Sequence, residues 1–289
     1  MKVNWLKYRK WYFGLSGAMA FVSIFGLLKW GLPLGVDFRG GTVIEYSFPS
    51  GVSTEELDGL LQQIGVEVSS AQSVGDNYLV RLGQVERGQR EEMLSSLLAQ
   101  YGEGTEEVSF ENVGPMIGPE LIRKTMYAVL ISAGGILLWV AFSFKNVKYG
   151  ISAVVAMFHD SFILLGSFTI LGHFLGAEVD FLFVTALLTT LSFSVHDTIV
   201  VYDRIREISR RRGGEFSDVA NYALNGTMRR SINNSVTIAL MLLSLAILGG
   251  SSVHWFSIAL LIGTVLGTYS SPFVAVPLLV TWLERAGKK

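Results

Sequence analysis

The sequence predicts a polytopic α-helical membrane protein with six transmembrane helices and one small α+β domain, of ferredoxin-like βαββαβ order, between the first two. Three observations predict it. Half of the 289 residues are hydrophobic and 12% are aromatic, and the mean hydropathy of +0.45 is well above that of a water-soluble domain. Six apolar runs reach the roughly 20 residues that cross about 30 Å of hydrocarbon. Between the first two runs lies a long polar segment with strand and helix periodicities of its own. Cysteine is absent, which excludes disulfides, thiolate metal sites and thiol redox chemistry. Four scattered histidines are not expected to form a metal centre.

Residues 1–10 carry Lys2, Lys7, Arg9 and Lys10, and the first span, 11–34, follows. Ala18-Met19-Ala20 has the small-x-small form of a signal-cleavage site, but apolar sequence continues through Phe25 and Leu28 to Leu34. The run is therefore expected to stay as an uncleaved anchor.

The polar segment is 35–120. Residues 41–48 alternate at strand period, and Ser53-Thr54-Glu55-Glu56 reads as a capping box ahead of Leu57, Leu60, Leu61 and Ile64 at helical spacing. Residues 66–74 and 77–82 are strand-like runs separated by Gly75-Asp76, a hairpin signal. Residues 87–101 repeat the helical pattern through Met93, Leu94, Leu97 and Leu98, and residues 106–113 return to alternation. Fifteen acidic residues against four Arg and no Lys give this segment a net charge of −11, in a chain whose total is −1. That acidic surface serves solubility or contacts a basic or unfolded partner. The segment has no histidine, and Arg39-Gly40-Gly41-Thr42 lacks the length and the lysine of a phosphate loop. Neither hydrolytic chemistry nor nucleic-acid binding is expected.

Five further spans fall at about 124–144, 149–171, 181–202, 231–249 and 255–282 within 121–282, with a loop at 203–230 and a tail at 283–289. Lys145 and Lys148 follow the second span. Arg204, Arg206, Arg210, Arg211, Arg212, Arg229 and Arg230 lie in the loop, and Arg285, Lys288 and Lys289 in the tail. The HFLGAEVD and GGSSVHW connections have neither Lys nor Arg. The positive-inside rule then makes both termini and the loop cytoplasmic and places 35–120 outside. The loop's arginines, interspersed with Asp203, Glu207, Glu215 and Asp218, are expected to touch anionic lipid. Gly263-Thr264-Val265-Leu266-Gly267 is a GxxxG motif, and with Gly134, Gly135 and Gly166 it predicts close helix packing.

Two carboxylates stand inside spans, Asp160 and Asp197, each preceded by a histidine. Asp at a span's centre costs about 2.5 to 3.5 kcal/mol on insertion scales, and such residues mark ion or proton paths. Thr190, Ser194 and Asp197 share one helix face at i, i+4 and i+7, and Arg230, Asn233, Asn234 and Thr237 form a second stripe. Facing one another, the two would pair opposite charges. Asp197 lies about 9 Å inside the cytoplasmic end of its span at 1.5 Å per residue, and Arg230 opens the next span at that same end. On its own, Arg230 reads equally well as a snorkelling interface arginine. Asp160, with Ser167 at i+7, either carries protons or fixes helix packing. Neighbouring residues point about 100° apart on a helix, so adjacency implies no direct contact of His159 or His196 with its aspartate.

Gly35-Val36-Asp37-Phe38-Arg39-Gly40-Gly41-Thr42, Val113-Gly114-Pro115, Gly118-Pro119-Glu120-Leu121, His159-Asp160 and above all the run from His196-Asp197-Thr198 to Arg206-Glu207 resemble motifs of the SecF family. SecF is the membrane subunit that works with SecD in bacterial protein export, and the likeness spans essentially the whole chain. The family often has Asn where this chain has His196. The segment from Leu224 to Ser231 resembles the one that carries an arginine at the start of the fifth span, with Arg230 a better match than Arg229.

The resemblance implies a transport subunit, related in architecture to half of an RND transporter, in the bacterial cytoplasmic membrane. It implies a SecD-like subunit, a SecYEG-type channel, the emerging unfolded preprotein and membrane lipid as partners, and protons rather than a cofactor as the driver. By the same likeness Asp197 is the proton carrier, Arg230 its charge partner and Asp160 a supporting carboxyl. Thr190, Ser194, Thr198, Asn233, Asn234 and Thr237 are the supporting polar residues. Two other readings stay open: half of an RND-type small-molecule exporter, and a structural subunit in which Asp160 and Asp197 are helix glue.

Overall fold

The structure, a computed structural model, describes residues 3–75, 77–114, 117–212 and 214–286. Lys2, Asp76, Pro115, Lys288 and Lys289, named above, lie outside the described residues. A 3-10 turn, Trp5–Tyr8, leads into α1 (Arg9–Trp30) and then α2 (Val36–Arg39), β1 (Gly41–Ser47), α3 (Thr54–Gln63), β2 (Val68–Val74), β3 (Asn77–Leu82), α4 (Arg87–Tyr101) and β4 (Glu106–Val113). The helices α5 (Ile117–Phe144), α6 (Val147–Leu175), α7 (Phe181–Arg212), α8 (Phe216–Leu248), α9 (Ser251–Ser270) and α10 (Val276–Ala286) complete the chain. Two compact units result, one of residues 34–126 and one of residues 1–33 with 127–289.

In the smaller unit the four strands form one antiparallel sheet in the order β2-β3-β1-β4, the ferredoxin-like arrangement. β1 is central because its alternation suits it: Ile44 and Tyr46 are fully buried, and Ile44 lies opposite Val80 of β3 and Phe110 of β4. Leu57 and Leu61 of α3 and Met93 and Leu97 of α4, spaced four residues apart on each helix, close over that face. Gly41 enters β1 at φ +131, where a Cβ would lie 2.8 Å from the Leu82 carbonyl, so only glycine fits.

Two caps differ from the expected pattern. Ser53 is the N-cap of α3, but its hydroxyl donates to Glu55 Oε2 at 2.5 Å instead of accepting a backbone N–H, so no capping box forms there. A complete capping box stands at α4, between Glu86 and Gln89, because a carboxylate at N-cap accepts as a hydroxyl does. Replacing Leu61 with Ala is expected to cost this unit about 2 to 5 kcal/mol. Limited proteolysis of the membrane-embedded chain will show faster cleavage within 34–126, whereas Gln62→Ala, on the exposed face of α3, leaves the rate unchanged.

The larger unit holds six helical stretches long and apolar enough to cross a membrane among the described residues. Large apolar side chains of α1 (Phe21, Leu28), α5 (Leu138, Phe142) and α8 (Ile247, Leu248) are exposed, as an apolar surround allows. α6, α7 and the last crossing, formed by α9 and α10, are the most buried of the six and form the interior. α6 ends at Gly176, whose left-handed backbone returns N–H bonds to Gly172 and Leu171. Asp180 then caps α7, its Oδ1 accepting the Phe183 N–H at 2.6 Å.

The stretch expected as a cytoplasmic loop, 203–230, is mostly helical: α7 runs on to Arg212 and α8 begins at Phe216. Intrahelical ion pairs support the first extension, Arg204–Glu207 at 2.5 Å, Arg206–Asp203 at 2.7 Å and Arg211–Glu207 at 3.1 Å. The extensions are too polar to register as apolar runs, which is why they read as a loop.

The sixth crossing is interrupted. Pro272 has no N–H to give, and the chain takes one π turn over Ser271–Ala275, with the Val276 N–H reaching back five residues to Ser271 O. Near that end, the Val3 N–H donates to Asn225 Oδ1 (3.1 Å), Asn225 Nδ2 donates to Val3 O (2.8 Å), and the Trp5 N–H donates to Asn221 Oδ1 (2.8 Å). Arg9 pairs with Glu284 at 2.8 Å. Residues 3–9 are thus strapped to α8 and α10.

Candidate functional site

α7 packs its small polar stripe against α9. Thr190, Ser194 and Thr198, at i, i+4 and i+8, are buried, and Gly263 and Gly267 of α9 give them room. The Thr198 hydroxyl lies 2.8 Å from Ser271 Oγ, and Ser271 also donates to Ser194 O at 3.2 Å and Gly267 O at 3.1 Å. One turn further along, Tyr202 is buried, its hydroxyl 2.7 Å from Ser152 Oγ of α6 and donating to Ala275 O at 3.3 Å. The Ser271 hydroxyl therefore ties α7 to α9 at the start of the irregular turn.

Asp160 of α6 is buried at the meeting of three helices. Its Oδ2 accepts from Ser194 Oγ of α7 at 2.6 Å and from Ser270 Oγ of α9 at 2.5 Å, and its Oδ1 lies 3.0 Å from His159 Nδ1. The His159–Asp160 contact, which adjacency on a helix did not imply, exists because the two side chains fold towards each other along α6. No Lys or Arg among the described residues bonds to this carboxyl. Ser167, at i+7, donates to Ile163 O on its own helix.

Asp197 is half-buried and accepts a hydrogen bond from Ser231 Oγ of α8. Beside it lies a cavity of about 20 Å³ lined by His196, Asn234, Ser235 and Thr268 among others, room for roughly one water molecule. His196 also lines an open groove of about 510 Å³ between α5 and α7, with Ser132, Trp139 and Ser192. Ser235 and Thr268 are hydrogen-bonded across α8 and α9.

The second stripe does not face the first. Arg230, Asn233, Asn234 and Thr237 are all exposed, and Asp197 forms no ion pair with Arg230 among the described residues. Only Asn234 of the four reaches the Asp197 cavity, and Thr237 donates to Asn233 O at 2.9 Å. α8 instead turns Ser231 and Ser235 inward, about 100° round the helix from Arg230 and Asn234. Sequence reasoning missed Ser231, Ser235, Thr268, Ser270 and Ser271. The i, i+4 serines and the Ser-Ser-Pro triplet inside an apolar run were the signals available.

Fold and site together define a class: multi-pass membrane proteins with a six-span bundle, two carboxyls inside it, and a ferredoxin-like domain inserted after the first span. The family described as protein export membrane protein SecD/SecF, C-terminal, matches residues 93–285, and the SecD/SecF GG motif matches residues 26–48. The chain belongs to the SecF family of protein translocase subunits, which has a transport role in protein translocation.

Protein translocase subunit SecF of Thermobaculum terrenum is 40% identical over 98% of this chain and 95% of that protein. SecDF of Bacillus subtilis is 32% identical over 97% of this chain, which spans 38% of that longer protein. Among solved structures, SecDF of Thermus thermophilus, described as a translocon-associated membrane protein, matches with a TM-score of 0.88 at 32% identity, over 99% of this chain and 39% of that one. SecDF in a form called super-membrane-facing matches with a TM-score of 0.73 at 30% identity, over all of this chain and 40% of that one.

Proposed function

We propose that the chain works with a SecD-like subunit beside a SecYEG-type channel and uses the proton motive force to help unfolded preproteins leave the cytoplasm. The membrane is the bacterial inner membrane, with both termini cytoplasmic and residues 35–120 outside, as the arginine-rich α7–α8 end requires. Asp197 is the proton carrier, and protons take the place of any cofactor. The observation that carries this reading is a half-buried intramembrane carboxyl beside a water-sized cavity, with His196 lining both that cavity and the open groove. A proton then has a route from the groove by His196 to Asp197.

The SecD-like partner is supported by relatives in which the matching region is part of a longer SecDF chain. One proton crossing 100 mV releases about 2.3 kcal/mol, enough to shift a two-state equilibrium by more than tenfold. When Asp197 is protonated, its acceptor pull on Ser231 weakens, and α8 is free to turn relative to α7. A turn of about 100° exchanges Ser231 for Arg230, and the arginine arriving beside the carboxyl favours loss of its proton and becomes the charge partner of the ionised Asp197 in the other state. Purification of the chain from native membranes in mild detergent is expected to bring a SecD-like subunit and the translocation channel with it. Recovery without either one overturns the reading.

A further inference from the structure

Asp160 has features that a packing role does not require. A buried carboxyl kept as a fixed charge needs a fixed cation, and among the described residues the only basic group in contact is His159, itself titratable. From α9, Tyr269 stacks near the His159 ring at 6.4 Å, and its hydroxyl is engaged with Ser16 and the Tyr12 carbonyl of α1. From α7 comes Ser194, while Asp197 on that helix is turned to Ser231. His159 Nε2 is buried without a hydrogen-bond partner among the described residues, so protonation at that nitrogen displaces no existing hydrogen bond.

The donor from α9 is also poised between two acceptors. Ser270 Oγ donates to Asp160 Oδ2 at 2.5 Å and lies 3.4 Å from the Gly267 carbonyl, one turn back on its own helix. The residue after it begins the π turn at Pro272. π turns frequently mark functional sites.

We propose that Asp160 is a proton-binding site in its own right, loaded through His159, and that the Ser270 hydroxyl passes its protonation state to the π turn of the last span. The imidazolium gives its Nδ1 proton to Asp160 Oδ1, which leaves a neutral ring protonated at Nε2 and a neutral carboxylic acid. Oδ2 is then a weaker acceptor, Ser270 swings to Gly267 O, and the tie between α6 and α9 loosens where the crossing is already irregular. Loss of the proton through His159 restores the tie. The inference rests on the proton-driven reading of the bundle but places a second carboxyl in it, one that Ser270 ties to α9 where Ser231 ties Asp197 to α8.

The test is pH-difference infrared spectroscopy on the full chain with its co-purified partner in lipid vesicles. A carbonyl band of a protonated carboxyl is expected on acidification, lost in Asp160→Asn and kept in Asp197→Asn. Ser270→Ala, which leaves the carboxyl in place and does not risk its folding role, shifts the band and its pH midpoint, and Ser270→Thr restores both. A band set that is unchanged in Asp160→Asn overturns the site, and an unchanged band in Ser270→Ala overturns the relay. The measurement needs no export, so its failure is distinct from failure of the proton-driven reading, which export by Asp197→Asn decides.

Discussion

Asp197→Asn is expected to abolish the proton-stimulated part of preprotein export in inverted vesicles that carry the channel and the SecD-like partner, a loss of more than tenfold. Asn keeps the shape of Asp, and its Oδ1 still accepts the Ser231 hydroxyl that Asp197 holds now, so the α7–α8 contact survives. Titration alone is removed. A bias of about 2.3 kcal/mol per proton per 100 mV then has nothing to act on. Export measured with the proton gradient collapsed is the baseline, and the variant should match the unmodified chain there. If Asp197→Asn exports as well as the unmodified chain with the gradient intact, Asp197 is not the carrier and the proton-driven reading falls.

The other large effect concerns packing. Gly263 lets α9 approach α7 so closely that an added Cβ would overlap the Thr190 methyl and lie 2.7 Å from Thr190 Cβ. A rotamer change moves the methyl but not the Cβ, so the helices must part. Gly263→Ala is therefore expected to lower stability by about 1 to 3 kcal/mol, read as a lower midpoint in detergent thermal unfolding. Because the nearest atoms that the added Cβ meets all belong to Thr190, Thr190→Gly in the same chain, which removes the Cβ as well as the methyl, should recover part of the loss, a departure from additivity that neighbouring sites show. A midpoint unmoved by Gly263→Ala would mean that α7 and α9 are looser than described.

Legibility of the fold tracked the strength of the local signal. The alternation around Ile44 and Tyr46 and the four-residue spacing of Leu57 with Leu61 and Met93 with Leu97 are imposed by one-sided burial, and they place the sheet and both helices correctly. The ends of α7 and α8 were missed because their extensions are held by Arg–Glu and Arg–Asp pairs and by the N-terminal strap, not by apolar periodicity.

The site was legible in its costly members and obscure in its cheap ones. A carboxylate in a span announces itself by its desolvation cost, as Asp160 and Asp197 do. A serine costs little in a helix, where its hydroxyl bonds its own i−4 carbonyl, so nothing marked Ser231 or Ser270 as partners. Asp197 and Arg230 are kept apart in this structure by rotation: on a helix, one residue's difference is about 100°, and Ser231 and Ser235, not the stripe through Arg230 and Asn233, hold the inward face.

The strap of residues 3–9 also fixes an order of assembly. Val3 and Asn225, which it joins, are 222 residues apart, so at roughly 5 to 20 residues per second the ribosome needs on the order of tens of seconds to supply the second after the first. During that time α1 sits in the membrane without the asparagines of α8 or Glu284 of α10. Such late closure is the slow, non-local kind of contact, and it leaves the strap to close after α1 can already pack against α6, where Gly26 meets Thr169 and Gly166 meets Ser23.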